Sequence, residues 1–296
     1  MSSRLSLDTL NRADPAEFAR LIGGVFEHSP WVAEAVAPRR PFATLAALYA
    51  ALADAARAAP TDQQMALLRA HPDLAGKAAR AGAVTDFSKA EQASAGLTHL
   101  TDAEFARFET LNADYRAKFG IPFIVCVRRH SKDSILAQFA RRLAHAPAQE
   151  RDAALAEVLL IARLRLAALV EAPDALPVAG RLSTHVLDTM RGRPAAGLAI
   201  ELAQLSVAGE RLPLKAVTTN ADGRTDAPLI AGQPLPIGTY ELSFHVGRYF
   251  ATAGVALAVP AFLDIVPIRF AIAEPEGHYH VPLLVTPWSY QTYRGS

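Results

Sequence analysis

The chain has 296 residues, with 30 Lys and Arg against 29 Asp and Glu and a formal net charge of +1, so no strong field points to nucleic acid or an anionic membrane surface. Hydrophobic residues make up 51% and charged residues 20%, which is ample apolar material for buried cores and argues against general disorder. The single cysteine, Cys126, excludes an intrachain disulfide and a cysteine-based zinc cluster. At roughly 100–200 residues per domain, the length suggests two domains. The start, Met1–Asp8, has no apolar run suited to a signal peptide. Val158–Val170, broken by Arg163 and Arg165, and Phe250–Leu263, with Gly254 and Pro260, do not suit a spanning helix. A soluble, cytoplasmic protein is expected.

The first part repeats helical punctuation. Asp14-Pro15-Ala16-Glu17 offers an N-cap, a proline at the first helical position and an acid behind it, and Phe18, Leu21, Ile22 and Val25 follow at helical spacing. Thr61–Gln64, Ser88–Glu91 and Thr101–Glu104 read as three capping boxes. His71 stands before Pro72, which biases it towards extended backbone at a helix end, where a histidine is ordinarily polar surface. Glu91 and Ser88 have the plain role of capping each other's helix start. Lys118–Val127 is an apolar run with Gly120 and Pro122 inside it and reads as core. Leu155, Val158, Leu159, Ala162, Leu166 and Leu169 form one stripe of a last helix; Arg163 and Arg165 interrupt it, with stems expected along the bundle and heads in water. The region reads as an all-α helical bundle, residues 1–171.

Residues 172–180, with Pro173, Pro177 and Gly180, have no period and read as a linker. From 181 to 296 the pattern alternates. Tyr240, Leu242, Phe244 and Val246 oppose Glu241, Ser243 and His245, while Val266, Ile268, Phe270 and Ile272 oppose Pro267, Arg269 and Ala271. Turn signals at Asn220–Gly223 and Leu235–Gly238 separate the strands, and an antiparallel sandwich follows. Leu182–Asp188 carries His185 in a β-prone run, and Arg224 follows a turn. In Gly277–Leu284, Tyr279, Val281 and Leu283 make the core face, so His278, His280 and Pro282 point away from it. Three readings stay open on these residues: solvated histidines, a His-x-His zinc site with a third histidine, or metal-free acid–base catalysis with Arg224 as an anion or amide fork. Arg224 and the lack of a nearby acidic ligand weigh against the metal.

Leu182–Asp188, Gly223–Asp226, His278–Leu284 and the final Tyr293-Arg294-Gly295-Ser296 resemble the 5-hydroxyisourate hydrolases, transthyretin-related enzymes, from about Gly180 to Ser296. The resemblance implies a transthyretin-like sandwich and a homotetramer through this domain, with active sites at the subunit interface. It further implies catalytic His185, Arg224 and His280, with Ser296 lining the site. His278 shares the face of His280 and reads at most as a contact to the substrate or to a catalytic side chain. In the first domain, His71–Ala75, Ser88–Gln92, Phe119–Val127 and Arg165-Leu166 resemble the OHCU decarboxylases over roughly Leu7 to Val170; OHCU is 2-oxo-4-hydroxy-4-carboxy-5-ureidoimidazoline. That resemblance implies His71 as catalytic acid/base with Glu91 its partner. Gln92 and Arg165 would be substrate contacts, and Pro72, Ser88, Phe123, Ile124, Val125, Cys126 and Val127 would line the substrate.

Together the resemblances imply a bifunctional enzyme of urate degradation. It would hydrolyse 5-hydroxyisourate to OHCU and decarboxylate OHCU to (S)-allantoin, with small-molecule substrates as its partners and with neither cofactor nor metal. The alternative is a transthyretin-like ligand-binding module carrying a helical oligomerisation arm. A carrier needs no acid–base set, so His185, Arg224 and His280 argue against it.

Overall fold

A computed structural model describes residues 4–76, 85–94, 97 and 100–295. Its contacts divide the chain into two compact units, Met1–Arg128 with Ile135–Val178, and Arg129–Ser134 with Ala179–Ser296. Among the described residues no helix is long and apolar enough to cross a membrane.

The first unit is helical: α1 (Leu7–Arg12), α2 (Pro15–Ile22), α3 (Trp31–Val36), α4 (Leu45–Ala58), α5 (Thr61–Arg69), α6 (Asp86–Ser94), α7 (Asp102–Phe119), α8 (Lys132–Arg142), which belongs to it from Ile135 on, and α9 (Pro147–Leu169). A short parallel pair, β1 (Leu5–Ser6) with β2 (Val170–Glu171), joins its two ends. Helix α9 is the central post. The expected stripe is buried apart from half-buried Leu169, and so are Ile161, Leu164 and Arg165, because other helices surround it.

The caps separate true helix starts from look-alikes. Asp14 accepts the Glu17 amide at 2.8 Å, and Thr101 with Glu104 forms a complete capping box. Helix α5 instead starts after Pro60 with no side-chain cap, and Gln64 donates to the Ala56 and Arg57 carbonyls. Helix α6 is capped by Thr85, whose hydroxyl accepts the Ser88 amide at 3.3 Å. Ser88 and Glu91 are therefore inside the helix, not at its start. Gly120, at φ 67°, ends α7 in the left-handed region where a Cβ is costly. Part of the stretch expected to link the domains rests on this unit. Asp174 accepts the Leu45 and Ala46 amides at the start of α4, and Leu176 is buried in the helical core.

The second unit is a β-sandwich of mostly antiparallel pairs. One sheet has the order β10 (Ile265–Ile272), β9 (Gly238–His245), β6 (Ala199–Leu205), β7 (Arg211–Thr218). Facing it are β11 (His278–His280), β3 (Gly180–Ser183), β8 (Ile230–Gln233), and then β13 (Tyr290–Thr292), β12 (Leu283–Val285), β4 (Val186–Asp188), β5 (Arg193–Pro194). Leu242, Phe244, Val266 and Ile268 from one side share a single core with Leu182, Val186, Tyr279 and Leu283 from the other. The alternation holds with two differences. Val246 leaves the strand and begins a helix, α10 (Val246–Thr252). Glu241 and Ser243, on the outer face, are buried nonetheless, because Arg211 and Arg269 cover Glu241 with ion pairs of 2.9 and 2.8 Å.

Two pairings are parallel, β3 with β11 and β4 with β12. Both runs break at one level, between Ser183 and Val186 on one side and between His280 and Leu283 on the other. Pro282 has no N–H to give the ladder there. The break turns His185 out of register, where it bridges to Arg224.

Candidate active sites

In the first unit, His71 follows the end of α5 and is 6% exposed. Its Nδ1 lies 3.0 Å from the Leu67 carbonyl, which can only accept, so Nδ1 carries the hydrogen and Nε2 is left as the basic nitrogen. Burial pulls the imidazole down to about 4, opposed by the Leu67 carbonyl and the Glu27 carboxylate. At neutral pH the ring is uncharged. The turn that holds it is fixed from three sides. Asn112 Nδ2 donates to the Leu74 carbonyl at 2.8 Å, Arg116 pairs with Asp73 at 2.7 Å, and Gln92 Oε1 accepts the Ala75 amide at 2.9 Å. Ala75 itself is held at φ 53°. With its oxygen so used, Gln92 has its amide NH2 left as a donor.

Spacing on α6 puts Ser88, Glu91 and Gln92 on one face. Arg165, from α9, is 3% exposed, not a head in water. It grips Glu91 through Nε and Nη2 at 2.9 and 2.8 Å, Glu27 through Nη1 at 2.7 Å and Ser88 Oγ at 3.3 Å. Four of its five N–H groups are thereby engaged, so its freedom to hold a substrate is one donor at most.

Glu27 is a site residue that sequence reasoning missed. It is 2% exposed and also accepts the Thr85 and Ser88 hydroxyls at 2.6 and 3.1 Å. Burial pushes its carboxyl up, but the Thr85 hydroxyl and Arg165 outweigh that and hold it below the usual range. The cavity is lined by His71, Pro72, Leu74, Ser88, Glu91, Gln92, Phe123, Ile124, Val125, Val127, Ile161 and Arg165. Cys126 is buried behind the wall, its amide donating to Glu157 at 2.8 Å. The apolar run thus serves as both core and cavity wall.

In the second unit, parity placed His278 and His280 correctly: Tyr279 is buried, His280 half-buried and His278 exposed. His185 Nδ1 lies 2.6 Å from His280 Nε2, with the rings stacked at 4.8 Å and 16°. Ser183 Oγ is 2.9 Å from His280 Nδ1 and 3.4 Å from His278 Nε2. His280 is lowered to about 4 by burial, then by the charges of His185 and Arg224. His185 is lowered by burial and then by Arg224. Both rings are neutral at neutral pH, which suits them to take a proton. Arg224 is held by the turn at Gly223, whose φ is 69° and where an added Cβ would meet the Val186 carbonyl oxygen at 2.3 Å. A hollow here is lined by Arg181, Ser183, Thr184, Arg224, Thr225, Asp226, Ala227, Pro228, His278 and His280.

Near the C-terminus the chain returns to this site. The Gly295 amide donates to the His280 carbonyl at 2.8 Å, and a Cβ at 295 would meet the His280 ring at 2.7 Å. Ser296 lies outside the described residues. Among the described residues no group of three His, Cys, Asp or Glu side chains is placed to hold a metal ion.

The two halves are a cavity-bearing helical bundle and a transthyretin-like sandwich, each with an imidazole site of its own. The OHCU decarboxylase family model matches residues 11–167 and the HIUase/Transthyretin family model residues 182–295; the chain belongs to the OHCU decarboxylase family in its first half and to the HIUase/transthyretin family in its second. A 5-hydroxyisourate hydrolase of Ralstonia nicotianae is 58% identical over 117 residues, 40% of this chain and 99% of that one. A 2-oxo-4-hydroxy-4-carboxy-5-ureidoimidazoline decarboxylase of Amia calva is 40% identical over 169 residues, 57% of this chain and 97% of that one. The crystal structure of an (S)-allantoin synthase is similar to the whole chain, at 38% identity, with 99% of this chain and 100% of that one covered and a TM-score of 0.53.

Proposed function

We propose that the protein is a bifunctional enzyme that converts 5-hydroxyisourate through OHCU to (S)-allantoin. The observation that carries this is its full-length similarity to an (S)-allantoin synthase, with an imidazole site in place in each half. In the sandwich, the neutral His185–His280 pair takes a proton from water, and the water oxygen attacks the ring amide carbonyl. Arg224 holds the substrate and stabilises the developing oxyanion. The proton then passes to the leaving nitrogen.

In the bundle, loss of CO2 sends the carbon–carbon electron pair into the adjacent imine, whose nitrogen takes up a proton from solvent, leaving a ring carbon–carbon double bond that carries the hydroxyl. Neutral His71 takes the hydroxyl proton at Nε2 as the carbonyl forms and returns it to one face of the neighbouring ring carbon, which fixes the configuration. Glu91, with Glu27, holds Arg165; Gln92 donates to a substrate oxygen; and Pro72, Ser88 and the Phe123–Val127 segment shape the cavity. Both substrates are small molecules.

The division of labour is a decarboxylase domain that begins at residue 1, a hydrolase domain over 181–296 and, between them, residues 172–180, whose Asp174 and Leu176 are anchored on the helical unit. The hydrolase domains assemble as a homotetramer in the cytoplasm, with Ser296 lining each site. Tethering keeps the second enzyme at high local concentration around the first. Fresh 5-hydroxyisourate given to the purified protein tests the reading by absorbance and circular dichroism together. Rapid loss of substrate with an optically active product is expected; spontaneous rates and a racemic product overturn it.

A further inference from the structure

The hydrogen bonds around His280 form a chain whose direction can be worked out. Ser183 and His280 sit opposite each other where β3 pairs with β11. Ser183 Oγ touches His280 Nδ1 at 2.9 Å and His278 Nε2 at 3.4 Å, and His280 Nε2 touches His185 Nδ1 at 2.6 Å. A hydroxyl has one hydrogen, and a neutral imidazole has one. If Ser183 donates to His280, His280 must donate from Nε2 to His185. His185 then carries its hydrogen on the outer nitrogen, and the pair presents no base to water. If Ser183 donates to His278, it accepts Nδ1–H from His280. His280 Nε2 then accepts from His185 Nδ1–H, and His185 Nε2 is left as a lone pair.

We propose that Ser183 is a positioning residue that accepts the His280 Nδ1–H and so sets both imidazoles in the tautomers that make His185 Nε2 the base. The inference rests on the hydrolase reading given above. Water gives its proton to His185 Nε2 as its oxygen bonds to the amide carbonyl carbon. The carbon–nitrogen bond breaks, and the same proton passes to the leaving nitrogen. Positive charge on the pair in between is spread through His280 to the Ser183 oxygen, the place a carboxylate takes in a serine protease triad.

The test uses the full chain with Ser183→Ala and Ser183→Thr, reading kcat, KM and the pH profile for 5-hydroxyisourate. Arg181 on β3, Arg224 and Asp226 from the turn beyond β7, and His278 also face the pair and are left in place. Ser183→Ala is expected to lose about tenfold in kcat with KM little changed, the effect of one neutral hydrogen bond. Its acid limb should move to lower pH, since protonated His280 has lost its acceptor. Ser183→Thr, which keeps the hydroxyl, should restore both. An acid limb that stays put or moves up, or a threonine variant no better than alanine, overturns the proposal. His280→Ala at an undiminished rate overturns the hydrolase reading itself, and Ser183 falls with it.

Discussion

The two imidazole sites solve opposite solvent problems. His71 is sealed in a helical cavity, with a backbone carbonyl fixing its ring and a buried Glu27–Arg165–Glu91 group beside it. His280 lies at the rim of a sheet, with another imidazole fixing its ring and the exposed Arg224 nearby. A hydrolase must admit water to its base, and a half-open strand break does so. A decarboxylase that protonates one face gains from excluding water, since stray solvent protons would reach both faces. Burial is the largest cause of the lowered histidine pKa in both sites; at His280 the neighbouring positive charges add to it, whereas at His71 the Leu67 carbonyl and Glu27 oppose it.

The sharpest way to break the comparison is to silence one site at a time. His71→Asn should cut enzymatic decarboxylation by roughly 10²–10⁴, as for loss of a general acid or base, with hydrolysis unchanged. His280→Ala should do the reverse. Separate absorbance assays for the two steps check both, and a variant that disables both steps would show the sites to be coupled. Glu27→Gln should come next. It weakens the grip on Arg165 and removes the charge that favours protonated His71, for an expected loss of about tenfold in decarboxylation, near one charged hydrogen bond. Its acid limb should move to lower pH.

The pH dependence of stability follows from the same burial. His71 has a folded value of about 4 against 6.5 unperturbed, so the unfolded chain binds the extra proton first. This contribution is present above pH 6.5 and is lost as pH falls towards 4. Urea midpoints read on the helical signal should therefore fall through that window in wild type and fall less in His71→Asn. The smallest effect is expected at Thr101→Ala, which removes a capping box for about 1 kcal/mol of stability and leaves both activities intact.

Local chemistry was legible in the sequence, and long-range pairing was not. The alternation through Tyr279, Val281 and Leu283 put His280 on the correct face, and Thr101–Glu104 marked a true helix start. Ser88–Glu91 has the same spacing as that box and was read as one. The spacing that lets two side chains cap a helix also puts them on one face of it, and here Arg165 claims that face from 74 residues away. Glu27 lies 138 residues from Arg165, and nothing local in Phe26-Glu27-His28 announces a buried carboxylate. Val246 continued a perfect alternation but turned into a helix, because periodicity does not say where a strand stops.

One clamp has a practical consequence for anyone who separates the halves. Asp174 supplies the acceptor for the first amides of α4, and Leu176 fills part of the helical core. A decarboxylase half cut after Glu171 would start α4 with those two N–H groups unanswered and a notch where Leu176 had been. Cutting after Val178 would carry the plug and the cap along, and the shorter fragment should be the one that aggregates on heating.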